Sequence, residues 1–167
     1  MWELRGRLQG VFKAWDRPHY RAGCVTRHGE QDDPDVPHSD GSCGFPPCGI
    51  YATKEPGDLV AEFGLPEGQR RYVYGLVALR GKVVEHERGY RAREARVVAA
   101  AVIGRGMLVR IEGEDRLERL FAAPQRTIAE IVGHDLAVIS KVPNLLDGTE
   151  ALMAYLSEVR LLHEASA

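Results

Sequence analysis

The sequence lacks both an apolar run long enough to cross a bilayer and an excess of either charge. Residues 97–103 are uninterruptedly apolar, but a membrane-spanning helix needs about 20 such residues. Lysine and arginine together number 22 and aspartate and glutamate 24, which gives a formal net charge of -2. Proteins that bind nucleic acid through its phosphates are usually basic. We therefore expect no membrane contact and do not expect nucleic acid to be a partner.

We expect no secretory leader, and the sequence contains no internal repeat and no low-complexity tract. Residues 1–5 do not follow the basic, apolar and small-residue order of a signal peptide, so we expect a cytoplasmic protein. The chain has 167 residues, of which 44% are apolar, and this is enough for one hydrophobic core but short for two. We predict a single domain over residues 1–167.

Segments typical of β-strands fill most of the first two thirds of the chain. They are rich in Val, Tyr and Ala and are punctuated by glycine, as in antiparallel meanders. The predicted strands are residues 8–15, 20–26, 49–53, 72–79, 82–87, 91–103, 107–111 and 136–140. Because so many strands follow one another directly, we expect a strongly bent or barrel-like antiparallel sheet.

Three short helices are indicated by their start and stop signals. Pro56 and Gly64 bracket the first helix, since proline favours the first helical position and glycine the position just past the end. Asp115 is placed to cap the second helix. Pro124 opens the third, which we expect to end before Gly133.

The C-terminal segment predicts a longer amphipathic helix, capped by Asp147 or Thr149. Its apolar residues recur at intervals of three and four, which places them on one helical face. They are Leu152, Tyr155, Leu156, Val159 and Leu162. The chain as a whole therefore predicts an α+β fold.

All three cysteines lie within 25 residues, in a Pro- and Gly-rich segment that apolar burial cannot stabilise. Cys24, His38, Cys43 and Cys48 are separated by 13, 4 and 4 residues, which allows the loop 24–48 to bring them to one centre. Thiolate and imidazole ligands are typical of zinc, and four protein ligands leave no position for a substrate water. The spacing therefore predicts a structural zinc site that stabilises the loop.

Other uses of these residues stay open from the sequence alone. His28 lies close to Cys24 and is an alternative to His38 as the fourth ligand. Three thiols could also pack as small apolar side chains without metal, and a disulfide would leave one cysteine over. A redox or nucleophilic cysteine also stays open, although the spacing differs from Cys-x-x-Cys and no helix is predicted to begin at any of the three.

Residues 85–91 form the densest polar segment outside this loop. In an extended strand, Glu85 and Glu87 lie on one face and His86 and Arg88 on the other. Together with Tyr51, this segment predicts a polar groove for a small-molecule or protein partner. The groove residues in the segment are Glu85, His86, Arg88, Tyr90 and Arg91. The alternative is an exposed hairpin end whose charges interact only with one another and with water.

Two motifs together resemble a family of small uncharacterised proteins common in actinobacteria. The first is Cys48-Gly49-Ile50-Tyr51-Ala52, preceded by the other two cysteines and the histidine of the loop. The second is residues 81–92, which read Gly-Lys-Val-Val-Glu-His-Glu-Arg-Gly-Tyr-Arg-Ala. The resemblance covers about residues 8–103. It implies a metal-binding Cys/His constellation and no established activity.

The strand at residues 49–52, followed by a short helix, also looks like the nicotinamide-stacking strand of ADP-ribosyltransferases. That resemblance implies an enzyme that uses NAD, with Tyr51 on the nicotinamide, His19 as the first-strand histidine and Glu85 or Glu87 as the catalytic acid. We favour a zinc-stabilised, non-catalytic binding or regulatory module. The NAD-dependent enzyme is the alternative.

Overall fold

Nine β-strands and four α-helices are found in the part of the chain that the structure, a computed structural model, describes. That part comprises residues 1–4, 6–10, 13–24, 36–38, 43, 47–63, 72–104, 107–133, 138–141 and 145–165. The strands are β1 (Trp2–Leu4), β2 (Leu8–Gln9), β3 (Ala14–Trp15), β4 (His19–Arg21), β5 (Ile50–Thr53), β6 (Tyr72–His86), β7 (Gly89–Gly104), β8 (Met107–Glu112) and β9 (Val138–Lys141). The helices are α1 (Pro56–Phe63), α2 (Glu114–Ala122), α3 (Pro124–Gly133) and α4 (Leu145–Ala165).

The strands form one antiparallel sheet in the order β3-β2-β1-β6-β7-β8-β9. β4 and β5 both pair with β7, opposite residues 94–96 and 89–92 respectively. The sheet curls strongly into a half-barrel. The predicted α+β fold with a bent antiparallel sheet is therefore confirmed.

A single long hairpin, β6 and β7, forms the centre of the sheet. The predicted strands 72–79 and 82–87 are parts of one strand, and the prediction of a break between them is wrong. Gly81 has a φ of 72° and lies where the pairing register shifts between Arg80 and Val83. This is a β-bulge, in which glycine adopts a positive φ without ending the strand.

The first predicted strand, 8–15, is in fact two short strands that pair with each other. β2 and β3 are antiparallel, and the N–H of Gly10 donates a 2.9 Å hydrogen bond to the C=O of Lys13 where the chain reverses. The second, 20–26, matches β4 only at residues 20–21. Residues 22–24 are not in a strand, so the prediction is wrong there, and residues 25–26 lie outside the described part. The predicted strands 49–53, 107–111 and 136–140 correspond to β5, β8 and β9.

The helices occur close to where they were predicted, although α3 includes Gly133, and the predicted N-caps of α2 and α4 are wrong. Gly113 is the N-cap of α2 and makes no side-chain capping hydrogen bond. Asp115 therefore lies in the first turn, where its negative charge suits the helix dipole. α4 begins at Leu145, so the backbone is already helical before Asp147 and Thr149, and neither is its cap.

The sheet has a hydrophobic cluster on each face. Ala100 and Val102 belong to the first cluster, whereas Ala99 and Ala101 belong to the second, because successive residues of a strand face opposite sides. Helix α2 contributes to the first cluster with Leu117, Leu120 and Phe121. Helix α4 covers the second with Leu152, Tyr155 and Leu156.

The predicted apolar face of α4 is thus buried over most of its length, but its last predicted residue is exposed. Leu162 is 63% exposed, like its neighbour Leu161, because both lie beyond the edge of the second cluster. None of the helices in the described residues is both long enough and apolar enough to span a membrane.

Candidate metal centre

Three of the four predicted metal ligands meet inside the first cluster. Cys24 follows β4, His38 lies in the described segment 36–38, and Cys48 comes just before β5. One ligand atom from each residue lies within 4.8 Å of the other two, and all three residues are buried. The structure therefore brings together a group that could hold a metal ion.

The spacing of these atoms approaches that of a tetrahedral site. Nδ1 of His38 lies 3.9 Å from Sγ of Cys24 and 3.7 Å from Sγ of Cys48. With Zn–S and Zn–N bonds of about 2.3 and 2.0 Å, sulfur and nitrogen ligands of a tetrahedral zinc ion are about 3.5 Å apart. The two distances from His38 Nδ1, 3.9 and 3.7 Å, are thus only slightly longer than those in such a site.

The fourth predicted ligand, Cys43, lies beside this group of mutually close atoms and is not part of it. Its sulfur accepts a 3.2 Å hydrogen bond from the backbone N–H of Cys48, and its side chain is buried. Hydrogen bonds of this kind orient metal ligands and tune their charge. His28, the alternative to His38, lies outside the described residues.

The thiols of Cys43 and Cys48 differ in acidity. Burial is the main reason that the pKa of Cys48 is raised to about 11, and the nearby sulfurs of Cys43 and Cys24 add to the effect. Burial also opposes ionisation of Cys43, but the N–H of Cys48 and the side chains of Cys48 and His38 outweigh it and lower the pKa of Cys43. Bound metal ions favour the thiolate form of their cysteine ligands.

Arg91 of β7 connects two of the ligand residues to the centre of the sheet. Its Nη1 and Nη2 donate hydrogen bonds to the C=O of Cys48, at 3.1 Å, and to the C=O of His38, at 2.9 Å. The side chain is almost fully buried, its Nε has no hydrogen-bond partner, and no carboxylate among the described residues pairs with it. A buried, unpaired charge is costly, so a negative charge near this arginine would stabilise the fold.

Gly49 provides the space through which the Arg91 side chain passes. A Cβ at this position would lie 2.5 Å from Cγ of Arg91 and 3.3 Å from Cβ of Pro37. The residue also has a φ of 137°, which side-chain-bearing residues rarely adopt. The sequence indicated Gly49 only as the start of a strand and Arg91 only as a residue of the polar groove, so the contact between them was not predicted.

The remaining predicted groove residues lie at the exposed end of the hairpin. Glu85, His86 and Arg88 are exposed, while Tyr90 is half-buried beneath the Nζ of Lys54, which lies 5.4 Å from the ring centroid. β6 ends at His86, so the alternation of faces predicted for residues 85–88 is wrong for the turn 87–88.

Tyr51 belongs to a different face from Glu85. It is 44% exposed and its hydroxyl donates a hydrogen bond to the C=O of Pro47. In the sheet, Tyr51 is opposite Arg91, whereas Glu85 is opposite Tyr90 in the next cross-strand row. Neighbouring rows point to opposite faces. The two residues required by the NAD-dependent alternative are therefore directed apart.

His19 is also remote from Tyr51. It pairs with Arg96, five residues along β7 from the partner of Tyr51, which corresponds to about 17 Å at about 3.4 Å per residue. The histidine, the tyrosine and the glutamate implied by the ADP-ribosyltransferase resemblance are not brought together.

Replacing Glu85 with Gln is expected to leave the protein folded, with a melting temperature at pH 7 within about 2 °C of wild type, because exposed ion pairs contribute little. The Nζ of Lys54 donates a 2.6 Å hydrogen bond to Glu85, and this bond and charge lower the pKa of Glu85. The pair therefore stabilises the fold above the ordinary pKa of Glu and stops doing so as the pH falls through the lowered value. Thermal melts of both proteins across that range measure the effect.

The same two proteins test the NAD-dependent enzyme. We expect neither stabilisation by NAD nor NAD glycohydrolysis in wild type or in Glu85→Gln. Turnover by wild type that disappears in Glu85→Gln would contradict this expectation and support the NAD-dependent enzyme.

A separate pocket of about 260 Å³ lies between the sheet and α2. Its lining includes His19, Arg80, Arg96 and Glu114, and a 2.9 Å ion pair joins Arg96 to Glu114. This pocket could not be predicted from the sequence, because its residues come from four separate segments and form no motif.

Comparison of the chain with protein-family models, with curated proteins and with solved structures found no match. The support for the candidate metal centre is therefore its own geometry.

Proposed function

We propose that the protein binds one structural zinc ion through Cys24, His38, Cys43 and Cys48 and acts as a non-catalytic binding or regulatory module in the cytoplasm. The observation that carries this proposal is the convergence of three buried ligand atoms from separate parts of the loop 24–48. Sulfur and imidazole donors favour zinc over magnesium or calcium, which prefer oxygen.

Cys43 completes the four-ligand set in this proposal. Its sulfur is held next to Cys48 by the backbone N–H of that residue. A site with four protein ligands has no open position for a substrate water, which is the mark of a structural rather than a catalytic zinc. The zinc would hold the ends of the loop against β4 and β5, which precede and follow it.

The end of the β6–β7 hairpin is the surface we propose for a partner, which could be a small molecule or a protein. It carries the exposed residues Glu85, His86 and Arg88. Tyr51 is also exposed, but it points to the opposite face of the sheet from Glu85 and lies outside this surface. The side chain of Arg91 points towards His38 and Cys48 and likewise lies outside this surface.

Elemental analysis of protein purified without chelator tests the zinc proposal. We expect about one equivalent of zinc in wild type, and a bound but weaker zinc in Cys43→Ser, because three protein ligands remain. Folded wild-type protein that neither contains zinc nor takes it up would contradict the proposal. Unchanged affinity in Cys43→Ser would instead show three protein ligands and an open position, as in catalytic sites.

A further inference from the structure

The charge of Arg91 constrains the charge of the neighbouring metal centre. A zinc ion with two thiolates and a neutral histidine carries no net charge, whereas a third thiolate makes the centre -1. Arg91 carries +1, is 4% exposed, and has no carboxylate partner in the part of the chain that the structure describes. Its only hydrogen bonds there go to the carbonyl oxygens of His38 and Cys48.

We infer that Arg91 is the positioning residue of the metal centre, and that its buried charge balances a zinc ion bound by three thiolates, Cys43 included. The inference rests on the proposed zinc function. It adds that the zinc site carries a net charge of -1, and that Arg91, which is not a ligand, favours this charge. A neutral two-thiolate site would leave the buried guanidinium without a compensating charge among the residues that the structure describes, which is costly. A three-thiolate site turns the same guanidinium into a stabilising neighbour.

The geometry also explains how Arg91 acts on the ligands without touching the ion. The guanidinium presents two donors in a fixed planar fork, and the fork spans the carbonyls of two ligand residues that are ten positions apart in sequence. Gly49, which lies directly after Cys48, lets the side chain reach them. Arg91 therefore fixes the relative positions of His38 and Cys48 from the central strand of the sheet.

A double-mutant cycle on the full chain separates charge balance from simple hydrogen bonding. Zinc affinity is measured by competition with a chromophoric chelator in wild type, Arg91→Met, Cys43→Ser and the double variant. We expect Arg91→Met to weaken zinc binding about 10- to 100-fold, the range typical for outer-shell partners of metal ligands. In the Cys43→Ser background the same change is expected to cost less than about threefold, because the third negative charge is already gone.

Two further variants keep the test decisive. Arg91→Lys retains the charge and is expected to keep zinc affinity within about tenfold of wild type, even if Arg91→Met folds poorly. Arg110→Met removes an arginine that also has an unpaired buried Nε but packs over Tyr155 in the second cluster, and it should leave zinc affinity unchanged.

An equal loss in both backgrounds, or a loss in Arg91→Lys as large as in Arg91→Met, would overturn the inference and leave Arg91 a hydrogen-bonding residue only. Equal affinity of Arg91→Met and wild type would overturn it as well. These outcomes are distinct from failure of the proposed function, in which wild type itself binds no zinc.

Discussion

Replacing His38 with Ala is expected to weaken zinc binding more than 100-fold and to lower the melting temperature by about 10 °C. Nδ1 of His38 lies within 4 Å of both sulfurs of the ligand group, so its loss leaves no nitrogen donor between them. Structural zinc sites contribute about 10–16 kcal/mol, or roughly 3 kcal/mol for each of four ligands. For a chain of this size, each kcal/mol corresponds to about 2–4 °C.

The matched control is His86→Ala. His86 is exposed at the end of the hairpin and is not a predicted ligand, so the variant should retain one zinc and the wild-type melting temperature. Zinc content by elemental analysis and melting with and without added zinc give the comparison. Full zinc content in His38→Ala would remove this residue from the site and direct attention to His28.

Replacing Gly49 with Ala is expected to destabilise the fold by about 4–9 kcal/mol and to weaken zinc binding at the same time. The positive φ alone costs about 1–3 kcal/mol. The new Cβ would also lie 2.5 Å from Cγ of Arg91, so the arginine must move and lose its hydrogen bonds to the ligand carbonyls. Each hydrogen bond to a charged group is worth about 1.5–3 kcal/mol. Denaturant unfolding and zinc competition measure the two effects.

Gly57→Ala is the control for this substitution. Gly57 lies in the first turn of α1, and a Cβ there would meet no atom within 4 Å. Alanine favours a helix over glycine by up to about 1 kcal/mol, so this variant should be neutral or slightly more stable. If Gly49→Ala behaved in the same way, the close packing of Arg91 against the metal loop would be wrong.

The sheet could be predicted from the sequence because its strands are rich in Val, Tyr and Ala and glycines interrupt them. Whether each glycine marks a turn or lies within an unbroken strand could not be predicted. Gly81 occupies a bulge within β6, and the turn between the long strands is formed by residues 87–88. Glycine with a positive φ serves both turns and bulges, so its presence in the sequence does not say which one forms.

The metal ligands could be proposed from spacing because all of them lie in one short loop. Arg91 could not be assigned to the same centre, since it is 43 residues from Cys48 and 53 from His38, and an arginine in a strand is usually solvent-exposed. Spacing alone did not predict the position of Cys43 relative to the other ligands. The pattern treats it like the other cysteines, whereas its sulfur lies at the margin of the group.

The pairing of β4 and β5 with the same edge of β7 gives the metal loop a second consequence. These strands have only three and four residues, yet they pair with residues 94–96 and 89–92 along that edge. An uncovered strand edge recruits strands from other molecules. In the proposed zinc site, Cys24 and Cys48 would hold the residues that flank β4 and β5, so we expect loss of zinc to weaken the pairing that covers this edge of β7.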